Sequence, residues 1–312
     1  MMNIYISGSM AYDRIMDFPG KFADHILPDK IHILNVCFNV NGLVEKFGGT
    51  AGNIAYTLSL LNEKPLIVAT IGKDYQNYFD WLIKNNMPVE GIKIIQDEFT
   101  AGAYITTDMS DNQITGFNPG AMKYPSEYRF EGADFENSIV LIAPGNLQDM
   151  IGYAGICREN GIRYICDPGQ SLSKWEGKSL RDWIDGSMML ITNDYEMELV
   201  MKMTGMDKSG LLGLTKRMVT TLGEKGSVIL SPDDEAYIPP AKVNGVVDPT
   251  GAGDAYRAGL LKAVVTGRDI ETAGRMGTIA AAYAIEKYGT QEHHFTYEDF
   301  IERYRDNFGE LK

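Results

Sequence analysis

Asp248-Pro249-Thr250-Gly251-Ala252-Gly253-Asp254 leads directly into an apolar pattern with helical spacing, Ala258, Leu261 and Val265. Pro249 fixes one φ angle, and the two glycines permit a tight turn whose backbone N–H groups can approach an anion closely. The turn would present these donors at a helix N-terminus, where the helix dipole also favours negative charge. The stretch therefore predicts a phosphoryl-binding site.

Asp254 falls in the first turn of this predicted helix, beside the same donors. We expect the donors to keep its carboxylate ionised, so that it can accept a proton from a substrate hydroxyl. The alternative is a glycine turn whose acidic residue only complements the helix dipole. A second glycine-rich motif earlier in the chain, Gly48-Gly49-Thr50-Ala51-Gly52-Asn53, favours the catalytic interpretation.

Together, and in this order, the two motifs resemble the signatures of the ribokinase-like carbohydrate and nucleoside kinases, the PfkB family. The resemblance extends over essentially the whole chain. It implies an α/β fold, a doubly wound and mainly parallel sheet flanked by helices, with a small β-sheet lid. It also implies a single kinase domain over residues 1–312, with the lid formed by excursions near 13–47 and 97–120.

Strand and helix signals agree with this architecture. Short apolar runs predict buried strands at Asn3 to Ser7, Leu66 to Ile71 and Ile139 to Ala143. Residues 14–47 carry turn signals and alternating apolar positions such as Ile31 and Ile33, which favour strands, and residues 102–117 alternate as well. Closing such a lid would exclude water from the reaction.

By resemblance, the acceptor is bound by Asp13, Gly48, Gly49, Asn53 and Asn118. Asn53 can both donate to and accept from a ribose diol. Ala11 stands where the family has an asparagine, which weakens the case for a plain sugar. The alternatives are a solvated loop carboxylate at Asp13 and a purely structural glycine-rich helix entry.

The donor side has two further elements. Asn193 and Glu196 match an Asn-x-x-Glu element that acts near Mg²⁺ and the ATP phosphates, and Mg²⁺ needs few protein oxygens. A helix cap with a first-turn glutamate would explain the same residues. Thr221, Gly223 and Gly226 resemble the nucleotide-binding loop, although a bare hairpin turn would look similar.

The resemblance assigns catalysis to Asp254 as base, with Gly251, Ala252 and Gly253 around the transferring phosphoryl group. The final helix, predicted near residues 273–285, would be core and one wall for adenine. The implied cofactors are ATP and Mg²⁺. A requirement for a monovalent cation, and the choice between a monomer and a homodimer, stay open.

Two segments, Phe117-Asn118-Pro119-Gly120-Ala121-Met122 and Asp167-Pro168-Gly169-Gln170, resemble the nucleoside-kinase branch, in particular microbial adenosine kinases. The implied reaction is ATP-dependent phosphorylation of the 5′-hydroxyl of adenosine. A sugar kinase of the same family and a non-catalytic nucleotide-binding regulator are the alternatives, and the regulator would not need a base at position 254. Aromatic residues that could clamp a purine, or could be lid core, are Tyr12, Phe38, Tyr104 and Phe117.

Composition limits the partners. The chain has 29 basic and 42 acidic residues, a net charge of -13, which argues against binding to nucleic acid or an anionic membrane. Three cysteines without a C-x-x-C pair, no signal-peptide pattern and no long apolar window predict a cytoplasmic protein. His293 and His294 lack metal-ligand spacing, so we expect surface residues and no tightly held structural metal.

Other nucleotide-binding motifs do not fit. Gly177-Lys178-Ser179 matches the end of a Walker A loop, but Leu172 occupies the position of the required first glycine. Tyr256 stands where the third glycine of a dinucleotide fingerprint would be. A P-loop enzyme and a dehydrogenase are therefore both disfavoured.

Overall fold

The computed structural model describes residues 2–311, so Met1 and Lys312, the ends of the predicted single domain, lie outside it. A nine-stranded sheet and a four-stranded sheet organise the described chain. The strands are β1 Asn3–Ser7, β2 Ala11–Asp17, β3 Asn41–Gly48, β4 Leu66–Gly72, β5 Ile92–Ile95, β6 Ala101–Thr107, β7 Gln113–Asn118, β8 Ser138–Ile142, β9 Arg163–Cys166, β10 Met189–Asn193, β11 Met218–Thr221, β12 Ser227–Ser231 and β13 Asp234–Ile238.

The large sheet has the strand order β13-β12-β11-β10-β9-β8-β1-β4-β5. The seven strands from β11 to β5 pair in parallel, whereas β12 and β13 add an antiparallel edge. Strand β8 is buried along its whole length because helices cover both faces of the sheet. The doubly wound, mainly parallel sheet predicted from the sequence is thus confirmed.

Nine α-helices accompany the sheets in the described part of the chain. They are α1 Thr50–Leu60, α2 Gln76–Lys84, α3 Leu147–Asn160, α4 Gly177–Ile184, α5 Asp194–Thr204, α6 Lys208–Leu212, α7 Ala252–Val265, α8 Ile270–Ile285 and α9 Tyr297–Phe308. One apolar cluster packs α1, α7 and α8 against one face of the sheet, and a second cluster packs α3 and α4 against the other. None of the helices within residues 2–311 has both the length and the apolar character needed to cross a membrane.

Helices α7 and α8 pack at close range because small residues face each other. A Cβ atom on Gly259 would lie 2.4 Å from the carbonyl oxygen of Met276, so only glycine fits there. This contact fixes the direction of α7, whose N-terminus carries the Gly251–Asp254 turn. The expectation that residues 273–285 form the final helix is wrong, because α9 follows α8.

The small sheet has the order β3-β2-β6-β7 and is the lid predicted from the sequence. Leu43 and Val44 are neighbours on β3 and point to opposite faces of this sheet, and both are more than half exposed, so neither face is fully covered there. The predicted strand character of residues 31–33 is wrong, since Pro28–Ile33 is a 3-10 helix. Pro28 starts that helix, and its fixed φ and missing N–H suit a first helical turn better than a ladder.

Candidate active site

Three cavities lie in a row where the parallel strands of the large sheet end. Their volumes are about 560, 420 and 500 Å³. The first and the middle cavity share Thr221, Gly223 and Gly253 as lining residues. The middle and the third share Gly251 and Asp254. The three cavities therefore form one cleft, with Asp254 at the junction of its middle and its third part.

The predicted anion-binding turn lies on the wall of the middle cavity. Gly251 is the N-cap of α7 with φ of 80°, a left-handed conformation that favours glycine. Within residues 2–311, the N–H groups of Gly253 and Asp254 donate to no protein acceptor. Free donors at a helix N-terminus favour a bound anion, so the turn has the geometry of a phosphoryl site.

The half-buried Asp254 carboxylate is held by an amide. Asn53 Nδ2 donates to Asp254 Oδ2 over 2.8 Å. Burial raises the pKa of Asp254, whereas Arg257 and the hydrogen bond from Asn53 lower it. The sequence predicts that neighbouring N–H donors keep this carboxylate ionised. Instead its pKa is raised, because desolvation is the largest effect. A raised pKa suits a residue that must accept a proton.

Asn53 takes part in a buried network that the sequence motifs did not reveal. Its Oδ1 accepts hydrogen bonds from Thr290 Oγ1 at 2.8 Å and from Gln291 Nε2 at 3.0 Å. Because both contacts need an acceptor, they orient the amide so that its Nδ2 faces Asp254. Asn53 still lines the third cavity, but both polar atoms of its side chain are hydrogen-bonded to protein groups rather than free to bind a ribose diol.

Arg257 is another residue that the motifs did not reveal. It lies on α7 one turn after Asp254 and is 7% exposed. Its Nη2 donates to Asp167 Oδ1 over 2.7 Å, and its Nε lies 2.5 Å from Asp167 Oδ2. Burial raises the pKa of Asp167, and the charge of Arg257 opposes that rise. An arginine within the apolar run after Asp254 was the available signal in the sequence.

The other predicted acceptor residues differ in whether they line the third cavity. Asp13 and Gly49 line the third cavity. Gly48 makes room for Asp13, because a Cβ atom on it would lie 2.9 Å from Asp13 Oδ2. Burial, and to a lesser extent Asp248, raise the pKa of Asp13. Asn118 does not line this cavity in the described structure, and its Oδ1 instead accepts the Gly120 N–H at 3.1 Å.

Of the four aromatic candidates, Phe117 alone lines the third cavity within the described chain. Tyr12 is buried and donates its hydroxyl to the Asp74 carbonyl oxygen. Phe38 packs against Phe18 and Phe22, while Tyr104 accepts a hydrogen bond from Arg14. The last three rings therefore have structural partners.

Asn193 and Glu196 line the middle cavity and cap α5 at the same time. Asn193 Oδ1 accepts the Glu196 N–H at 2.7 Å, and Glu196 Oε2 accepts the Asn193 N–H at 2.9 Å. Residues 2–311 contain no cluster of three His, Cys, Asp or Glu side chains arranged to hold a metal ion. The carboxylates in this cavity fit a hydrated Mg²⁺ that is held partly by phosphates, the usual state of this ion in kinases.

The first cavity lies between the β11–β12 connection and α8. Thr221, Gly223 and Gly226 line it on one side, as predicted for a nucleotide loop. Ala281 and Ile285 of α8 line it on the other side. An apolar slot of this kind is typical of a site for a flat heterocycle.

His293 contradicts its predicted surface position, since it is 1% exposed. Its Nε2 lies 3.0 Å from Thr57 Oγ1, and its Nδ1 has no hydrogen-bond partner in the described structure. Burial lowers the pKa of His293 to about 4. The residue belongs to the loop that carries Thr290 and Gln291, so it is part of the packing behind Asn53.

Comparison with known proteins identifies relatives along nearly the whole chain. A nucleoside kinase of Methanocaldococcus jannaschii is 31% identical over 271 residues, covering 86% of this chain and 89% of that protein. A deoxyribokinase of Salmonella typhi is 24% identical and covers 82% of this chain and 86% of that protein.

A solved structure of a Burkholderia thailandensis nucleoside kinase in complex with inosine superposes with a TM-score of 0.86. It is 35% identical, and the match covers 99% of each chain. The same enzyme in complex with ADP-inosine superposes with a TM-score of 0.84 at 36% identity, covering 99% of this chain and 97% of that one.

The family model described as pfkB family carbohydrate kinase matches residues 20–295. The match includes both glycine-rich motifs. This chain belongs to the pfkB family of carbohydrate kinases.

Proposed function

We propose that this protein is an ATP-dependent nucleoside kinase that phosphorylates the 5′-hydroxyl of adenosine. The observation that carries the proposal is the position of Asp254, at the junction of two cavities and beside free N–H groups. A kinase of this kind must bring an acceptor hydroxyl, a base and a phosphoryl group together at one point.

In the proposed reaction, ATP places its base in the first cavity and its phosphates in the middle one. The acceptor lies in the third cavity with its sugar against Asp13. Asp254 takes the proton of the 5′-hydroxyl while that oxygen forms a bond to the γ-phosphorus. The bond between the γ-phosphorus and the bridging oxygen breaks, and ADP leaves.

Mg²⁺, held through Glu196 and Asn193 and through phosphate oxygens, would neutralise charge on the phosphates. The N–H groups of Gly253 and Asp254 would bind the transferring group, since fixed donors cost no reorganisation during the reaction. We further propose that the small sheet closes over the acceptor and excludes water.

The nucleoside assignment is supported by the relatives in Methanocaldococcus and Burkholderia and by Phe117 on the cavity wall. A sugar acceptor is the second candidate, because a deoxyribokinase also aligns along most of the chain. The two candidates share the phosphate side and differ in what the third cavity holds.

The test measures ADP release with ATP and Mg²⁺ against adenosine, inosine, other nucleosides, ribose, deoxyribose and fructose. We expect adenosine to give a kcat/KM at least about tenfold above the best sugar, since one additional buried contact accounts for such a ratio. Turnover on a sugar alone would replace the acceptor, and ADP release independent of any acceptor would contradict the proposal.

A further inference from the structure

We propose that Arg257 is a further residue of the phosphoryl-transfer site, where its guanidinium supplies a fixed positive charge to the transferred phosphoryl group. The inference rests on the proposed kinase function. Neither glycine-rich motif contains Arg257, and the Asn-x-x-Glu element does not contain it either.

The position of Arg257 carries the first step. It lines the middle cavity together with Gly251, Gly253 and Asp254. A Cβ atom on Gly253 would lie 2.7 Å from Arg257 Nη1, so this nitrogen borders the turn that presents the free N–H groups. A side chain at position 253 would therefore displace the guanidinium from its present position.

The orientation of the guanidinium carries the second step. Asp167 contacts Nε and Nη2 and fixes the plane of the group. Nη1 donates to no protein acceptor within residues 2–311, although the side chain as a whole is buried. A buried arginine whose Nη1 has no protein acceptor among the described residues, at the edge of a polar cavity, has donors available for an anion.

A second buried ion pair on the same helix provides the contrast. Lys262 Nζ lies 2.6 Å from Glu63 Oε1, and both side chains are 9% exposed. Lys262 lines none of the three cavities described above. Helix α7 therefore carries one buried pair away from the cleft and one at the cleft, which makes Lys262 a matched control.

The chemistry follows from charge. During phosphoryl transfer, negative charge spreads over the equatorial oxygens, and a preorganised cation in a site shielded from water stabilises it. The groups that act electrostatically on Asp254 are Arg257, which favours its ionised form, and Glu196, which opposes it. Arg257 would thus serve both the transferred group and the base.

The experiment compares Arg257→Gln and Arg257→Lys with the wild-type enzyme and with Lys262→Gln. We expect Arg257→Gln to lose about a hundredfold in kcat, the scale seen when one transition-state donor is removed. Arg257→Lys should retain at least about ten times the activity of the glutamine variant, because it keeps the charge. Equal losses in the two variants would overturn the proposal.

The double variant Arg257→Gln with Asp167→Asn separates catalysis from folding. Removing Arg257 alone leaves Asp167 as an uncompensated buried charge, so the single variant should melt at a lower temperature. The double variant should recover much of the lost melting temperature, but its kcat should stay at least about thirtyfold below that of the wild type. Recovery of kcat to within about threefold, together with stability, would show a structural role only and overturn the proposal.

The pH dependence gives a readout that a structural role would not change. Asp254 must be ionised to act, so activity falls as the pH drops through its pKa. Removing Arg257 takes away the charge that lowers this pKa, and the acid limb of kcat/KM should move to higher pH in the glutamine variant. Lys262→Gln should leave the limb in place. An unmoved limb in Arg257→Gln would contradict the proposal, whereas inactivity of the wild type would defeat the kinase function itself.

Discussion

The two ends of the cleft are built differently. At the phosphoryl end, Asp254 is tied to Asn53, and Asn53 is tied to Thr290 and Gln291 through buried hydrogen bonds. At the acceptor end, the wall includes Phe117, which is 56% exposed on the small sheet. We infer that buried hydrogen bonds fix the groups of the proposed chemistry, whereas the proposed choice of acceptor depends on a few residues of the small sheet.

Two kinds of defect should follow from this contrast. Substitutions at the phosphoryl end should lower kcat, because they disturb groups that act on the transition state. Substitutions at the acceptor end should mainly raise the KM of the acceptor, because they disturb binding that is similar in ground and transition states.

The largest effect is expected for Asp254→Asn. This change keeps the size of the side chain and removes the base, so kcat should fall at least about a hundredfold while the KM for ATP stays near the wild-type value. Initial rates at saturating acceptor with varied ATP measure both quantities. Turnover close to that of the wild type would remove Asp254 from its assigned role.

Asp13→Ala should act on the other end of the cleft. Loss of a charged hydrogen-bond partner for the acceptor should raise the acceptor KM about tenfold or more, with little change in the KM for ATP. Asp17→Ala, which changes an exposed residue of the same strand β2, is the control. If both variants behave alike, or if kcat alone falls in Asp13→Ala, the separation of the two ends is wrong.

Phe117→Ala should have a smaller effect on the same constant. An aromatic contact with a base contributes about 1 kcal/mol, so the KM for adenosine should rise about fivefold. The KM for ribose, if ribose is a substrate at all, should not change. Ile114→Ala on the same strand β7 is exposed and away from the cavity, and it should leave both constants unchanged. An equal effect on nucleosides and sugars would mean that the ring does not contact a base.

His293 should affect stability rather than turnover. Its pKa is about 4 in the folded protein and about 6.5 in an unfolded chain, so the unfolded state binds a proton first as the pH falls. The titration of His293 therefore leaves the free energy of unfolding unchanged above about pH 6.5 and lowers it as the pH falls from about 6.5 to 4. Urea unfolding should show this loss in the wild type and a smaller one in His293→Gln. Identical pH profiles of the free energy of unfolding in the wild type and in His293→Gln would contradict the lowered pKa of His293.

Much of the fold could be predicted because its signals are local. The apolar run at residues 139–143 reads as a buried strand, and β8 occupies Ser138–Ile142. The glycine turn before α7 also acts locally, since a left-handed φ at Gly251 is needed wherever this turn occurs. The alternating apolar residues Ile31 and Ile33 favour a strand, but in the structure their side chains are exposed in the 3-10 helix Pro28–Ile33.

The candidate site was only partly predictable because its support is non-local. Thr290 and Gln291 reach Asn53 from a loop more than two hundred positions away in the sequence, at separations of 237 and 238. No spacing rule connects such residues. Arg257 was close in sequence to Asp254, but its partner Asp167 is 90 positions away, so its burial could not be foreseen.

A single-turnover experiment with enzyme in excess over γ-labelled ATP, in the presence of adenosine and Mg²⁺, tests the central claim most directly. The experiment measures which molecule carries the labelled phosphoryl group, and NMR of the product identifies the oxygen to which the phosphorus is bonded. The account predicts that the label appears on the 5′-oxygen of adenosine, in equal amount to ADP and at a rate no slower than kcat. Label that appears as inorganic phosphate, or that stays on ATP while adenosine is bound, would contradict it.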